Sequence, residues 1–225
     1  MPILAYILTV LAAYLLGSIP TGFLVARAKG IDIRSVGSGN IGATNTMRVL
    51  GKPAGIFVLL VDCAKGYIAC LLGIFIVAHF TYRYYDLAND EYIAAQLKEE
   101  LEPLAIITGI FAVLGHNYTC WLKFKGGKGI ATTAGVYLAL APWAVLVALV
   151  IFILAVLVTK YVSVGSIAAA IALPATVWIM SPDNLELGIV TTALGALAIY
   201  KHKSNIQRLM AGTENRFGKK TEATK

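Results

Sequence analysis

Seven apolar runs, at roughly 3–25, 54–79, 103–122, 130–141, 143–159, 162–180 and 185–200, take up most of this 225-residue chain. A helix rises about 1.5 Å per residue, so about 20 apolar residues cross the hydrocarbon core of a bilayer. Runs this close together leave no room for a separate globular module. The chain therefore reads as one polytopic, all-α membrane domain over 1–217, followed by a basic, loosely ordered tail at 218–225. Composition agrees: 58% of residues are hydrophobic and 14% charged, against about 25% charged in a soluble domain.

The first run lacks a basic leader and continues for a full bilayer width, which reads as a transmembrane helix rather than a cleaved signal. Gly17-Ser18-Ile19-Pro20-Thr21 interrupts it. Such a break is tolerated in lipid when neighbouring helices satisfy the freed backbone groups, so a buried, kinked helix is expected. The fourth run is short, and Pro142 separates it from the fifth. Two short passes, a re-entrant turn and one kinked helix all fit that pair.

Charge sets the orientation. Of the 19 Lys and Arg residues, five lie in Arg27–Lys52, three in Lys123–Lys128, one at Lys160 and seven from Lys201 onward. About seven transmembrane helices with the N-terminus outside place those 16 on the cytoplasmic side, together with the C-terminus; six passes would not. The segment Tyr82–Glu102 then forms an external, acidic hydrophilic loop or short helix. The net charge of +7 is a topology signal, and no basic groove with interleaved aromatics points to nucleic acid. Cys63, Cys70 and Cys120 show no metal-ligand spacing with His79, His116 or His202, so they read as packing residues and no metal is expected.

Three polar islands interrupt the apolar chain on that one side. In the first, Gly37-Ser38-Gly39-Asn40-Ile41-Gly42-Ala43-Thr44-Asn45, followed by Arg48, the glycines allow successive amides to converge on an anion. Ser38, Thr44 and Asn45 add side-chain contacts, and Arg48 can fork onto a phosphate. A loop that only turns and caps the next helix fits equally well. In the second, Gly115-His116-Asn117 precedes Phe124-Lys125-Gly126-Gly127-Lys128-Gly129 at the start of an apolar helix. Free amides and two lysines at a helix N-terminus suit a phosphate, although positive-inside anchoring explains the lysines too. Lys128 is followed by Gly129, so this is no Walker A loop. In the third, His202-Lys203-Ser204-Asn205 through Glu214 continues as a helix with His202 and Asn205 on one face, or as a plain basic juxtamembrane helix.

Inside the second run, Asp62 and Lys65 lie roughly 12 and 16 Å from its cytoplasmic end. Unpaired, each charge would cost about 2.5–3.5 kcal/mol at that depth, so a structural i, i+3 ion pair is expected. There is no GxSxG elbow, no HExxH, and no histidine with an aspartate five residues on.

Taken together, the three motifs, with His202-x-x-Asn205-Ile206-x-Arg208-Leu209, Gly212 and Glu214 in the last, resemble the bacterial acyl-phosphate glycerol-3-phosphate acyltransferases (PlsY type), from about Leu15 to Phe217. Lys203 stands where that family usually has Arg, Thr119 where it has Pro, and the outer loop is longer. The resemblance implies transfer of a fatty acyl group from acyl phosphate to sn-glycerol 3-phosphate at the cytoplasmic face of a bacterial inner membrane, with no cofactor. It implies catalytic or phosphate-binding roles for Ser38, Arg48, Lys128, His202 and Asn205. Substrate contacts are implied at Gly37, Gly39, Asn40, Thr44, Asn45, His116, Asn117, Lys125, Gly126, Gly127, Gly129 and Lys203, and structural roles at Asp62, Lys65 and Glu214. The rival reading is a transporter of a phosphorylated metabolite or lipid, which would use the same cradles beside Asp62 and Lys65.

Overall fold

The structure, a computed structural model, describes residues 3–84 and 91–217, with backbone alone for residue 77 and for residues 80–84 and 91–100. Among these there is no strand. The helices are α1 Ile3–Ser18, α2 Thr21–Arg27, α3 Ala43–Leu50, α4 Lys52–Tyr84, α5 Glu91–Asn117, α6 Ile130–Leu140, α7 Pro142–Thr159, α8 Val162–Met180, α9 Leu185–Lys201 and α10 Lys203–Met210, with a 3-10 turn at Cys120–Leu122.

Every apolar run is helical. Among the described residues, four helical stretches are long and apolar enough to cross a membrane, and a fifth is gained if α1 and α2, bent by 42°, count as one broken span. At 11 residues, α6 is about 16 Å long, well short of the hydrocarbon core. Pro142 opens α7 at its first position after Ala141 leaves the helical region (φ −148°, ψ 68°), so α6 and α7 are separate helices rather than one kinked rod. Leu149, Val150, Leu154 and Val158 of α7 are exposed, as lipid-facing side chains would be. The three cysteines are free thiols. Helix extends into both ends of the acidic segment, since α4 continues to Tyr84 and α5 begins at Glu91. Residues 85–90 of that segment, and the tail 218–225, lie outside the described residues.

The chain divides into two compact units, Met1–Ile19 with Asp62–Leu140, and Pro20–Val61 with Ala141–Lys225. In the first, small residues let backbones touch. A Cβ on Gly17 would lie 2.1 Å from the Ala112 carbonyl, and one on Gly115 would lie 2.2 Å from that of Tyr14, so α1 and α5 meet without side chains between them. Ala13, Ala69 and Ala112 form a fully buried core beside that seam. The end of α1 leaves carbonyls without helical partners. Thr119 Oγ1 donates to the Ser18 carbonyl and Lys65 Nζ to that of Ile19, which is the satisfaction by neighbours expected of a break in lipid. Thr119 can do this where a proline could not.

In the second unit α8 packs between α7 and α9, with Gly165 against Phe152 and Gly195 against the Ala170 carbonyl. Trp178 Nε1 donates to Thr192 Oγ1 at 3.0 Å. Lys160 turns the chain out of α7 in the left-handed region (φ 64°), its N–H returning to the Val156 carbonyl. That conformation strains any residue with a Cβ. Lys160→Gly is expected to stabilise the protein by about 0.5–1 kcal/mol, read as a higher melting temperature in detergent.

Candidate active site

The first island lies in the second unit and is built around one side chain. Asn45 is 2% exposed. Its Nδ2 shares its two N–H groups among the carbonyls of Ile33 (3.3 Å), Val36 (3.1 Å) and Asn40 (2.9 Å). Its Oδ1 accepts from the Ser38 amide at 2.8 Å and from Arg48 Nη1 at 3.3 Å. Gly37 and Gly39 adopt positive φ (61° and 69°), and a Cβ on Gly37 would meet Asn45 Oδ1 at 2.2 Å. Asn40 Oδ1 accepts from the Gly42 amide at 2.8 Å and so fixes the start of α3. Arg48 is half-buried, and burial draws its guanidinium below the usual value, with the Glu214 carboxylate opposing and Arg208 adding to that shift; it stays a cation at neutral pH. Ser38 is half-buried and Thr44 exposed.

The third island belongs to the same unit. His202 links α9 to α10 and is 3% exposed. Its Nδ1 lies 2.8 Å from the Ala198 carbonyl, which can only accept, so Nδ1 carries a proton and Nε2 is the basic nitrogen. Three residues along α10, Asn205 is also buried and donates from Nδ2 to Glu214 Oε1 at 2.7 Å. Glu214 further accepts from Ser163 Oγ (3.0 Å) and Arg208 Nε (2.7 Å), tying α10 to the start of α8. Lys203 points elsewhere, its Nζ 5.0 Å above the Tyr200 ring.

Desolvation raises the Glu214 carboxyl pKa, but the hydrogen bonds from Asn205, Arg208 and Ser163 outweigh it and the net shift is downward. A carboxylate depressed on folding contributes stability above its unfolded value of about 4.3 and loses it as pH falls through the lower folded value. Wild type is therefore expected to lose melting temperature more steeply than Glu214→Gln on acidification below the ordinary carboxylate range. Thermal scans of both proteins across that range check this.

The second island lies in the first unit, folded onto α5. The Gly126 amide donates to the Asn117 carbonyl at 3.2 Å and the Gly127 amide to that of His116 at 3.0 Å. A Cβ on Gly127 would meet His116 Nε2 at 2.1 Å, and one on Gly129 (φ 81°) would meet Asn117 Oδ1 at 2.8 Å. Gly126–Gly129 thus lie directly on His116 and Asn117, and lead into the N-terminus of α6, whose first amides have no helical partner. Lys128 is half-buried in this loop and Lys125 exposed. Beneath it, Asp62 and Lys65 form the expected ion pair at 2.8 Å, 2–3% exposed. Sequence reasoning did not connect that pair to His116, nor single out Thr132. The Thr132 hydroxyl, fully buried at the third position of α6, has no hydrogen-bond partner among the described residues. A threonine three residues after the glycine-lysine loop, in the first turn of the helix that the loop opens, was the available signal.

The structure therefore gathers Gly37, Ser38, Gly39, Asn40, Asn45 and Arg48 into one loop, His202, Asn205 and Glu214 into one cluster, and Asp62, Lys65, His116, Asn117 and Gly126–Gly129 into another. Comparison with known proteins gives these clusters a context. The family model described as Glycerol-3-phosphate acyltransferase matches residues 7–212. The chain belongs to this family. Similar proteins named Glycerol-3-phosphate acyltransferase include one from Geobacter metallireducens, 49% identical over 94% of this chain and 97% of its own, and one from Geotalea daltonii, 44% identical with the same coverage. A crystal structure of PlsY, an integral membrane glycerol 3-phosphate acyltransferase, in its glycerol 3-phosphate form superposes with a TM-score of 0.79 at 36% identity, covering 95% of this chain and 96% of that one. Its lysophosphatidic acid form gives 0.77. The chain is accordingly an acyltransferase and a multi-pass membrane protein.

Proposed function

We propose that this acyltransferase moves a fatty acyl group from acyl phosphate to the 1-hydroxyl of sn-glycerol 3-phosphate, releasing lysophosphatidate and inorganic phosphate. The reaction takes place at the cytoplasmic face of a bacterial inner membrane, in a seven-pass protein with its N-terminus outside. The observation that carries the reading is the glycine loop Gly126–Gly129, folded on His116 and Asn117 and delivering Lys128 and free amides at a helix N-terminus. That is a phosphate cradle by geometry and by charge. The charge count supports the topology.

Both substrates carry phosphate, and the islands offer cations and amides to bind it. Lys128 and its loop, with Lys125 at the rim, bind glycerol 3-phosphate, and Thr132 completes that anion site. Ser38, Arg48 and the amides of Gly37 and Asn40 bind the donor phosphate, with Thr44 at the exposed edge, while Lys203, turned onto Tyr200, stays outside it. Asn205 and Asn45 hold their neighbours in place.

The glycerol hydroxyl attacks the acyl carbonyl carbon, the new C–O ester bond forms, and the bond to phosphate breaks with its electron pair leaving on phosphate. The hydroxyl proton passes to that phosphate or to His202 Nε2. Acyl phosphate has a good leaving group, so positioning and charge stabilisation suffice. Among the described residues no side chain is hydrogen-bonded to the Ser38 hydroxyl, so a serine nucleophile would lack the base it needs. Palmitoyl phosphate mixed with the protein should release phosphate only when glycerol 3-phosphate is added, with chelator present, and mass spectrometry should find no acyl adduct on Ser38 with donor alone. A Ser38 adduct would replace direct attack by an acyl-enzyme, and glycerol 3-phosphate flux into vesicles without phosphate release would favour a transporter.

A further inference from the structure

Buried beneath the glycine loop, the Lys65 ammonium has three N–H groups and three acceptors around it: Asp62 Oδ1 at 2.8 Å, the Ile19 carbonyl at 3.0 Å and His116 Nδ1 at 2.9 Å. Two of these, a carboxylate and a carbonyl, can only accept. Asp62 needs a compensating charge; lysine is a stronger base than imidazole by about four pKa units and lies at 2.8 Å from the carboxylate against 3.8 Å for His116 Nδ1, so that charge sits on Nζ. Lys65 is thus an ammonium that donates all three bonds, and His116 must offer a lone pair at Nδ1. Asp62 Oδ1 is 3.8 Å from that nitrogen, too far to compete. The proton of a neutral His116 then resides on Nε2, the edge of the ring against which Gly127 is seated.

We infer that Lys65 is a positioning residue for substrate phosphate. It locks His116 as the Nε2–H tautomer and fixes the ring orientation on which Gly126–Gly129, and with them Lys128, are laid. The ion pair in the second long helix is therefore more than a neutralised charge in lipid. Its third hydrogen bond reaches a residue 51 positions away whose backbone carbonyl and ring both touch the loop. The carbonyl holds the Gly127 amide, and the ring limits how near the Gly127 backbone can come. Rotating or flipping the imidazole would move the loop, and a displacement of an ångström at a binding loop is enough to cost about 100-fold. This inference rests on the reading of Gly126–Gly129 as the glycerol 3-phosphate cradle.

Lys65→Met alone would strand the Asp62 carboxylate, so the decisive variant is the double Asp62→Asn/Lys65→Met, which removes both charges together. Wild type and double variant, each confirmed as folded by size exclusion and thermal melting in detergent, are labelled with 15N-histidine. Wild type should show His116 with Nδ1 unprotonated and Nε2 protonated, a signature that a purely structural ion pair would not dictate, and the double variant should lose that single tautomer. Glycerol 3-phosphate titrated against 15N-glycine amides of the loop should bind the double variant about 10- to 100-fold more weakly. A protonated Nδ1 in wild type, or unchanged glycerol 3-phosphate affinity in the folded double variant, would overturn the inference. Wild type that binds glycerol 3-phosphate at the loop yet never acylates it would sink the proposed reaction while leaving the positioning role intact. Wild type that does not bind it at all would remove both.

Discussion

Asn45→Ala is expected to reduce acyl transfer at least ~100-fold, because it removes the one side chain that closes the first island. Three loop carbonyls, the Ser38 amide and Arg48 all converge on its amide group. Truncation leaves several of these polar groups unmatched, at a cost of about 3 kcal/mol or more, and frees Ser38 and Arg48 from their fixed spacing. Asn45→Asp separates the two halves of that role. The carboxylate can still accept from Ser38 and Arg48 but can no longer donate to Ile33, Val36 and Asn40, so it should be nearly as damaging. Initial rates with both substrates varied, alongside melting curves, test this; near wild-type rates for either variant would show that other contacts hold the loop.

Gly127→Ala carries the second large effect. Its Cβ would sit 2.1 Å from His116 Nε2, against a buried ring already held by Lys65, so the loop must move. The expected result is about a 100-fold loss of kcat/KM toward glycerol 3-phosphate, borne mainly by KM, in a protein that still melts cooperatively. Gly30→Ala supplies the contrast. Gly30 has positive φ (75°) with nothing within 4 Å of an added Cβ, so the substitution strains the backbone by about 1 kcal/mol and leaves activity near wild type. If Gly127→Ala leaves activity as near wild type as Gly30→Ala does, the His116 contact does not govern the site.

These expectations show which parts of the molecule can be read from sequence. Each apolar run became a helix because continuous apolar residues in lipid have that one economical way to pair their backbone. The break at Gly17–Pro20 was visible for the same reason, as was the Asp62–Lys65 pair, whose partners are one turn apart. Helix ends were less visible. Neither the extension of α4 and α5 into the acidic segment nor the start of α3 within the first island is marked by a change in hydrophobicity.

Site residues were recognised as a group more readily than individually. Asn45 and Ser38 look alike as polar residues in a glycine-rich loop, yet Asn45 is buried and holds the loop's backbone while Ser38 stays half-exposed. Only the fold of the loop decides between those fates. Lys203 sits beside His202 in sequence, but one helical step turns it toward Tyr200. The Lys65–His116 bond joins two helices, so no local pattern could have announced it. Motifs report which chemistry is present, and tertiary contacts decide which residue binds and which one holds.

The most direct test of the account is acylation of radiolabelled glycerol 3-phosphate by the purified protein, in chelator, with palmitoyl phosphate in one tube and palmitoyl-CoA in the other. The account predicts lysophosphatidate from palmitoyl phosphate alone. Product from palmitoyl-CoA alone, or no product from either donor with protein shown to be folded, would contradict it.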